Sequence, residues 1–280
     1  ADRVALNRMT EVVGDREVAS ITPKLIDGVY EEMANRQLRA STVNLATACM
    51  RSFFKWATDR GHYSGPSPVS GRRYRPREAR ELTRVPIDKF PALLDAARTP
   101  RDRMLLALGL YTMARSKEIT GIRIRDVDLS SSYIQIYVSK SNLFDQRPIS
   151  LELRNELTQW LKVYADEVGP LEPDYFLVPA VRGGNRPSGD WPLLPRKQMV
   201  VPEDVVHPAL LVLGIDDSYH SGLHVLRRTS ARSTFAELAH SGYDGAPRLL
   251  EDWLNHDDTT TTEVYLGPEL DKAKPDTLAK

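Results

Sequence analysis

Cysteine is almost absent from this chain: one thiol, Cys49, stands among 280 residues. A single thiol rules out an internal disulfide and fits a reducing compartment, so a cytoplasmic protein is expected. Cys49 falls on the apolar stripe of a predicted helix, where a thiol packs as a small hydrophobe. Net charge is absent as well, with 38 Lys and Arg against 38 Asp and Glu. Taken alone, that balance argues against a polyanionic partner. No apolar stretch approaches the ~18 residues that a membrane helix requires, so no membrane partner is expected. Nor does a charged-then-apolar leader open the chain. Metal-ligand clusters are scarce too. His220 and His224 stand four apart, but Gly222 lies between them and no third ligand is near. The pair Asp257-Asp258 is thin support for a metal-dependent nuclease. The expectation is a protein with no metal and no cofactor.

The charge that is present is unevenly placed. Through Arg80 there are 14 basic and 9 acidic residues, and beyond it 24 and 29, so the two parts are about +5 and −5. The excess concentrates in G-R-R-Y-R-P-R-E-A-R (71–80), beside Gly65, Pro66 and Pro68. Most such runs are solvated linkers, but the same run suits a phosphate backbone, whose counterions it would release. The expected division is a helical first domain over 1–66, a basic linker over 67–82, a larger domain over 83–266 and a tail over 267–280. At this length each domain can bury a core. The tail, with its prolines and charges, suits either a frayed end or docking on a neighbouring protomer.

Thr22-Pro23 predicts a helix start, followed at helical spacing by Leu25, Ile26, Val29, Tyr30 and Met33. Ser41 or Thr42 is expected to cap a second helix with the stripe Val43, Ala46, Cys49, Met50, Phe53, Phe54 and Ala57, stopped by Gly61. Later helices are expected from Pro86, over Arg101–Met113 and Leu151–Val168, near Pro202, over Leu223–Ala239, and around Leu249–Leu254 and Thr259–Tyr265. Strands are expected at Ile122–Val127 and Tyr133–Val138, and from Arg147 after a turn S-N-L-F-D-Q. The stretch from Pro170 to Pro208 is rich in proline and glycine and carries no clear period. The fold class is therefore mainly α, a small all-helical domain plus a larger, mostly helical one with a small antiparallel β-sheet.

Chemistry concentrates late in the chain. H-V-L-R-R-T (224–229), L-N-H-D-D (254–258) and E-V-Y-L (263–266) set His224, Arg227, His256 and Tyr265 in series. Arg115 lies far upstream in Y-T-M-A-R-S-K-E-I. Arginines grip phosphate bidentately, histidines move protons, and a tyrosine can become a covalent nucleophile. This set is suited to attacking a phosphodiester without metal. His224 and Arg227 are one turn apart and share a helix face, while Arg228 points off it. For Glu118 and Arg115 the plain alternative is a structural salt bridge, and for Lys140 a solubilising surface charge.

The order and context of these motifs resemble the tyrosine recombinase (phage integrase) family. The likeness rests on A-R-S-K-E-I-T-G-I-R-I-R-D-V-D-L, on H-x-x-R at His224–Arg227, on His256 as the second histidine, and on Tyr265 after a threonine run. Upstream, S-T-V-N-L-A-T-A-C-M-R-S-F-F-K-W-A (41–57) resembles the family's core-binding domain. The likeness covers roughly residues 20 to 266. It implies Arg115 and Arg227 as phosphate clamps, Glu118 holding the first guanidinium, and Lys140 on a hairpin as general acid to the leaving 5′-oxygen. It further implies His224 as proton acceptor or phosphate hydrogen-bond donor, His256 as hydrogen-bonding a non-bridging phosphate oxygen, and Tyr265 as nucleophile. Asn255 departs from the glycine the family usually has before this histidine, and asparagine tolerates left-handed backbone less freely.

The resemblance also implies double-stranded DNA as partner, with Arg51, Lys55, Arg60, Arg72, Arg73, Arg75 and Arg77 as candidate phosphate contacts. A homo-tetramer on paired sites, a four-way junction intermediate, and accessory DNA-bending or directionality proteins in a bacterial host cytoplasm come with it. A type IB topoisomerase would share nearly all these site residues, and a DNA-binding regulator that has lost catalysis is the other alternative. About twenty residues precede the first expected helix, too few for the additional amino-terminal arm-binding domain that many phage integrases have.

Overall fold

The computed structural model describes residues 2–76, 83–183, 192–216, 222–243, 245–254, 262 and 266. The chain divides into two compact units, Ala1–Glu81 and Leu82–Lys280.

The first unit is helical, as expected. Helix α1 (Asp2–Val13) packs on α2 (Pro23–Asn35) and α3 (Ala40–Asp59). Thr22 caps α2, its hydroxyl accepting the Leu25 N–H at 3.4 Å, with Pro23 at the first helical position. Ile26, Val29 and Met33 meet Val43, Ala46, Cys49, Met50 and Phe54 in one core, and Cys49 is buried there. Ser41 and Thr42 do not cap α3. It begins at Ala40 behind Arg39, which makes no side-chain cap. The cause is the tight exit from α2: Gln37 takes a left-handed φ of 51°, and Leu38 N–H returns to the Met33 carbonyl at 3.1 Å. Gly61, at φ 74°, follows the end of α3. The stretch expected as linker lies, as far as Arg75, against this unit. Val69 is fully buried in its core, and the Asn44 amide bonds the Arg75 carbonyl and N–H at 2.9 and 2.8 Å.

The second unit is built around α5 (Pro100–Tyr111), capped by Thr99. This helix has no solvent face of the usual kind, because even Arg101 and Asp102 are buried, paired to each other at 3.0 Å. Around it stand α4 (Phe90–Asp95), α6 (Ser116–Gly121), α7 (Leu151–Val168), α8 (Glu203–Val212) and α9 (Leu223–His240). Helix α10 (Ala246–Leu254) packs on α9.

The expected strand at 122–127 is mostly a 3-10 turn (Ile124–Asp126), held by the Asp126 carboxylate on Arg123 N–H at 2.8 Å. Only Val127–Asp128 (β1) extends. It pairs antiparallel with β2 (Tyr133–Val138), which pairs with β3 (Leu143–Pro148). The β2 alternation is as expected, with Ile134, Ile136 and Val138 buried. The turn is shorter than S-N-L-F-D-Q, however, because Leu143 and Phe144 already pair with Val138 and Tyr137. Asn142, at φ 55°, reverses the chain instead. The unreadable stretch after Pro170 contains a second small sheet, β4 (Pro179–Val181) with β5 (Leu193–Gln198). Its proline content hid it, since proline strands lack the ladder donor and read as loop.

Candidate active site

Helix α5 ends at Tyr111, and Met113 turns the chain with a left-handed φ of 54°. A bulky side chain seldom adopts that conformation, and here it aims the Met113 carbonyl inward, where Arg227 Nη1 donates to it at 2.5 Å. Two residues on, Arg115 stands at the N-cap of α6. The Glu118 carboxylate, one turn in, accepts the Arg115 backbone N–H at 2.6 Å and its Nη1 at 2.9 Å. Glu118 is therefore a cap and an ion-pair partner at once. It is buried, and Oε2, the oxygen that accepts the backbone N–H, also lies 3.9 Å from Arg227 Nη1.

Arg227 reaches this point because α9 crosses α5 closely. At Gly109 an added Cβ would lie 2.8 Å from both Leu223 Cδ2 and Leu226 Cδ1, so only glycine admits the helix at this spacing. The start of α9 is set by Gly222, at φ 51°. Its next turn is pinned by Thr229, which accepts Val85 N–H at 3.0 Å. Arg228 donates instead to the Thr83 carbonyl at 3.3 Å, which puts it on the other side of the helix.

The two arginines, remote in sequence, converge on one atom. Arg115 Nη2 donates to the Leu254 carbonyl at 3.2 Å, and Arg227 Nη2 donates to the same oxygen. That carbonyl ends α10, where helix carbonyls lack internal partners and the macrodipole favours cations. The Arg115 side chain keeps 29% of its surface exposed, whereas that of Arg227 keeps 1%. His224, at the start of α9, is open to solvent. Partial desolvation holds its pKa below the usual 6.5, and the charges of Arg227, Arg228 and Arg115 push it the same way, against Glu203. Its imidazole is neutral at pH 7 and able to take a proton.

Lys140 lies exposed in the turn between β2 and β3. His256 and Tyr265 lie outside the described residues, as does Arg77. Leu266, next to Tyr265, is fully buried in a cluster with Met113, Ala231, Phe235, Leu250 and Leu254, and Thr262 is also buried. Sequence reasoning missed Arg147, which is 4% exposed and donates to the Trp253 carbonyl. No periodic signal marked it, because it fell at the edge of a misplaced turn.

In the first unit, Arg51 donates to the Arg72 carbonyl and lies over the Tyr74 ring at 4.6 Å. Arg72 is paired with Asp27 and lies over Tyr30 at 4.7 Å. Lys55 pairs with Asp59 at 3.2 Å, while Arg60, Arg73 and Arg75 are exposed. Among the described residues no group of three or more His, Cys, Asp or Glu side chains could hold a metal ion.

The chain is thus a helical unit followed by a mainly helical domain in which two arginines flank a buried carboxylate. Residues 83–270 match the phage integrase family, and residues 3–61 match its N-terminal SAM-like domain. The chain belongs to the phage integrase family and is a tyrosine-type site-specific DNA recombinase. It is similar to a tyrosine recombinase of Pseudothermotoga lettingae, 23% identical over 96% of this chain and 85% of that one. It is also similar to the tyrosine recombinase XerC of Vibrio vulnificus, 27% identical over 55% of this chain and 51% of that one, about half the length of each. Among solved structures, a lambda integrase (75-356) dimer bound to a COC' core site has a TM-score of 0.67 at 15% identity, covering 95% of this chain and 86% of that one. A lambda integrase tetramer bound to a Holliday junction has a TM-score of 0.65 at 16% identity, covering 94% and 70%. No helix among the described residues is long and apolar enough to cross a membrane.

Proposed function

We propose that Arg115 and Arg227 clamp the scissile phosphate and that Tyr265 is the nucleophile. The carrying observation is that both guanidiniums meet at the Leu254 carbonyl and share Glu118. Arg115, the more open of the two, is the side from which a phosphate enters. The Tyr265 oxygen attacks phosphorus, and the phosphorus–5′-oxygen bond breaks. The phenol proton passes to neutral His224, and the departing 5′-oxygen takes a proton from Lys140. The products are a 3′-phosphotyrosine and a free 5′-hydroxyl. A 5′-hydroxyl from a partner strand then attacks the same phosphorus and restores the tyrosine, so one phosphodiester replaces another. His256 donates a hydrogen bond to a non-bridging phosphate oxygen.

Deprotonating a phenol of pKa near 10 at pH 7 costs about 4 kcal/mol. Two guanidiniums offset much of it while stabilising the phosphorane. The burial of Leu266 beside Met113 and Leu254 supports this reading, because it fixes the chain next to Tyr265 in the cluster that also contains Met113, whose carbonyl holds Arg227.

The reading extends to double-stranded recombination sites held by four protomers through a four-way junction, inside a bacterial host. The helical unit meets the duplex with Arg51, Lys55, Arg60, Arg73 and Arg75 near phosphates. The basic stretch then tracks the backbone from the first domain to the catalytic one. A duplex nicked beside the cleavage site, which loses its 5′-hydroxyl fragment, should trap a covalent complex with the native chain and none with Tyr265→Phe. Trapping by the variant would refute the assignment. Failure of the native chain to trap on a duplex that it binds would favour the inactive regulator.

A further inference from the structure

Three guanidiniums surround the end of α10, and the third has no part in the reaction outlined above. Arg147 is the one fully buried residue of β3 and stands opposite Ile134, which is 0% exposed. A cationic side chain beside that isoleucine is costly unless it is paired. Its Nη1 pairs with Asp145 at 2.6 Å, two residues back on the same face of β3. Its Nη2 donates to the Trp253 carbonyl, the neighbour of the carbonyl that Arg115 and Arg227 hold. Its Nε has no hydrogen-bond partner among the described residues, so the burial of this guanidinium is not fully compensated. Burial lowers its pKa, Asp145 and Glu118 raise it, and Arg115 lowers it, which places it in the same electrostatic cluster as the proposed clamp.

We infer that Arg147 is a positioning residue of the recombination site, pinning the returning strand of the Lys140 hairpin to the end of α10. This rests on the reading of Lys140 as general acid. The geometry decides which side depends on the pin. The α10 end is also held by two other guanidiniums through Leu254, whereas β3 reaches it through Arg147. Removing Arg147 therefore frees the hairpin more than the helix, and the proton donor at its turn loses register with the scissile phosphate. Lysine cannot replace it, because one ammonium lacks the fork that spans Asp145 and the carbonyl together.

The test uses the full chain with Arg147→Met and Arg147→Lys on a duplex carrying the mapped cleavage site. The same duplex is also made with sulfur in place of the bridging 5′-oxygen, because a thiolate leaves without a proton. Both variants are expected to bind the oxygen duplex as the native chain does and to cleave it about 10- to 100-fold more slowly at saturation, the range for an ångström-scale misplacement. On the sulfur duplex they should regain most of the native rate, as should Lys140→Ala. Native rates on the oxygen duplex, or equal slowing on both where sulfur does rescue Lys140→Ala, would overturn the inference. A melting curve separates unfolding from mispositioning, since Arg147→Lys keeps the charge and should keep the fold. If Lys140→Ala is equally slow on both duplexes, the general-acid reading fails instead. Arg147 then stands as a positioning residue only if its variants still slow saturated cleavage with unchanged affinity.

Discussion

Replacing Gly109 with alanine tests the packing on which the arginine pair depends. The new Cβ would sit 2.8 Å from Leu223 Cδ2, 2.8 Å from Leu226 Cδ1 and 3.2 Å from Leu226 Cβ. Two of these atoms end flexible side chains, but Leu226 Cβ is fixed to the α9 backbone, and both leucines are buried. The helices must therefore part by a few tenths of an ångström. Overpacking of this kind costs about 1 to 3 kcal/mol, and alanine returns about 1 kcal/mol of helix propensity over glycine. The expected net loss is therefore at most about 2 kcal/mol, or a melting point lower by up to about 8 °C for a unit of this size. Because Arg227 follows Leu226 directly, the outward shift of α9 also loosens its bonds to Met113 and Leu254, so single-turnover cleavage should slow by about tenfold. Calorimetry and cleavage of the nicked duplex give both numbers. An unchanged or raised melting point with full cleavage would show that α9 does not need this close approach, and the account of how Arg227 is placed would fail.

Two further outcomes follow from the charges. With the His224 pKa held below 6.5, the imidazole stays neutral until pH falls past that value, so cleavage should be lost on the acid side with a midpoint under 6.5. An acid limb at or above 6.5, or one that survives in His224→Gln, would remove His224 as proton acceptor. For DNA affinity, Arg73→Gln should reduce the log–log salt slope by about 0.9, the contribution of one phosphate contact. Arg72→Gln should change it far less, because Asp27 already engages that guanidinium. Equal effects would mean that DNA breaks the Asp27 pair.

Much of this molecule was legible from local pattern. Thr22-Pro23, the stripe from Val43 to Ala57, the alternation of β2 and the helix Leu151–Val168 all state their period in adjacent residues, and local periodicity survives folding when one face is buried. The motif residues Arg115, Glu118, Lys140, His224 and Arg227 could also be singled out from order and spacing, and from likeness to a family. What local pattern could not show was convergence. That Arg115 and Arg227 share the Leu254 carbonyl depends on a glycine in α5, a left-handed methionine after it and the direction of α10, none of which is periodic. Nor could it show that Arg72 is committed to Asp27 while Arg73 is open, since a run of arginines looks alike until a fold assigns partners. Arg147 is the sharpest case: its strand began earlier than the turn residues suggested, so a charge that reads as surface lies buried against a helix end. Chain order determined which arginines and histidines this protein carries; only the packing of α5, α9 and α10 decided that Arg115 and Arg227 meet at one carbonyl.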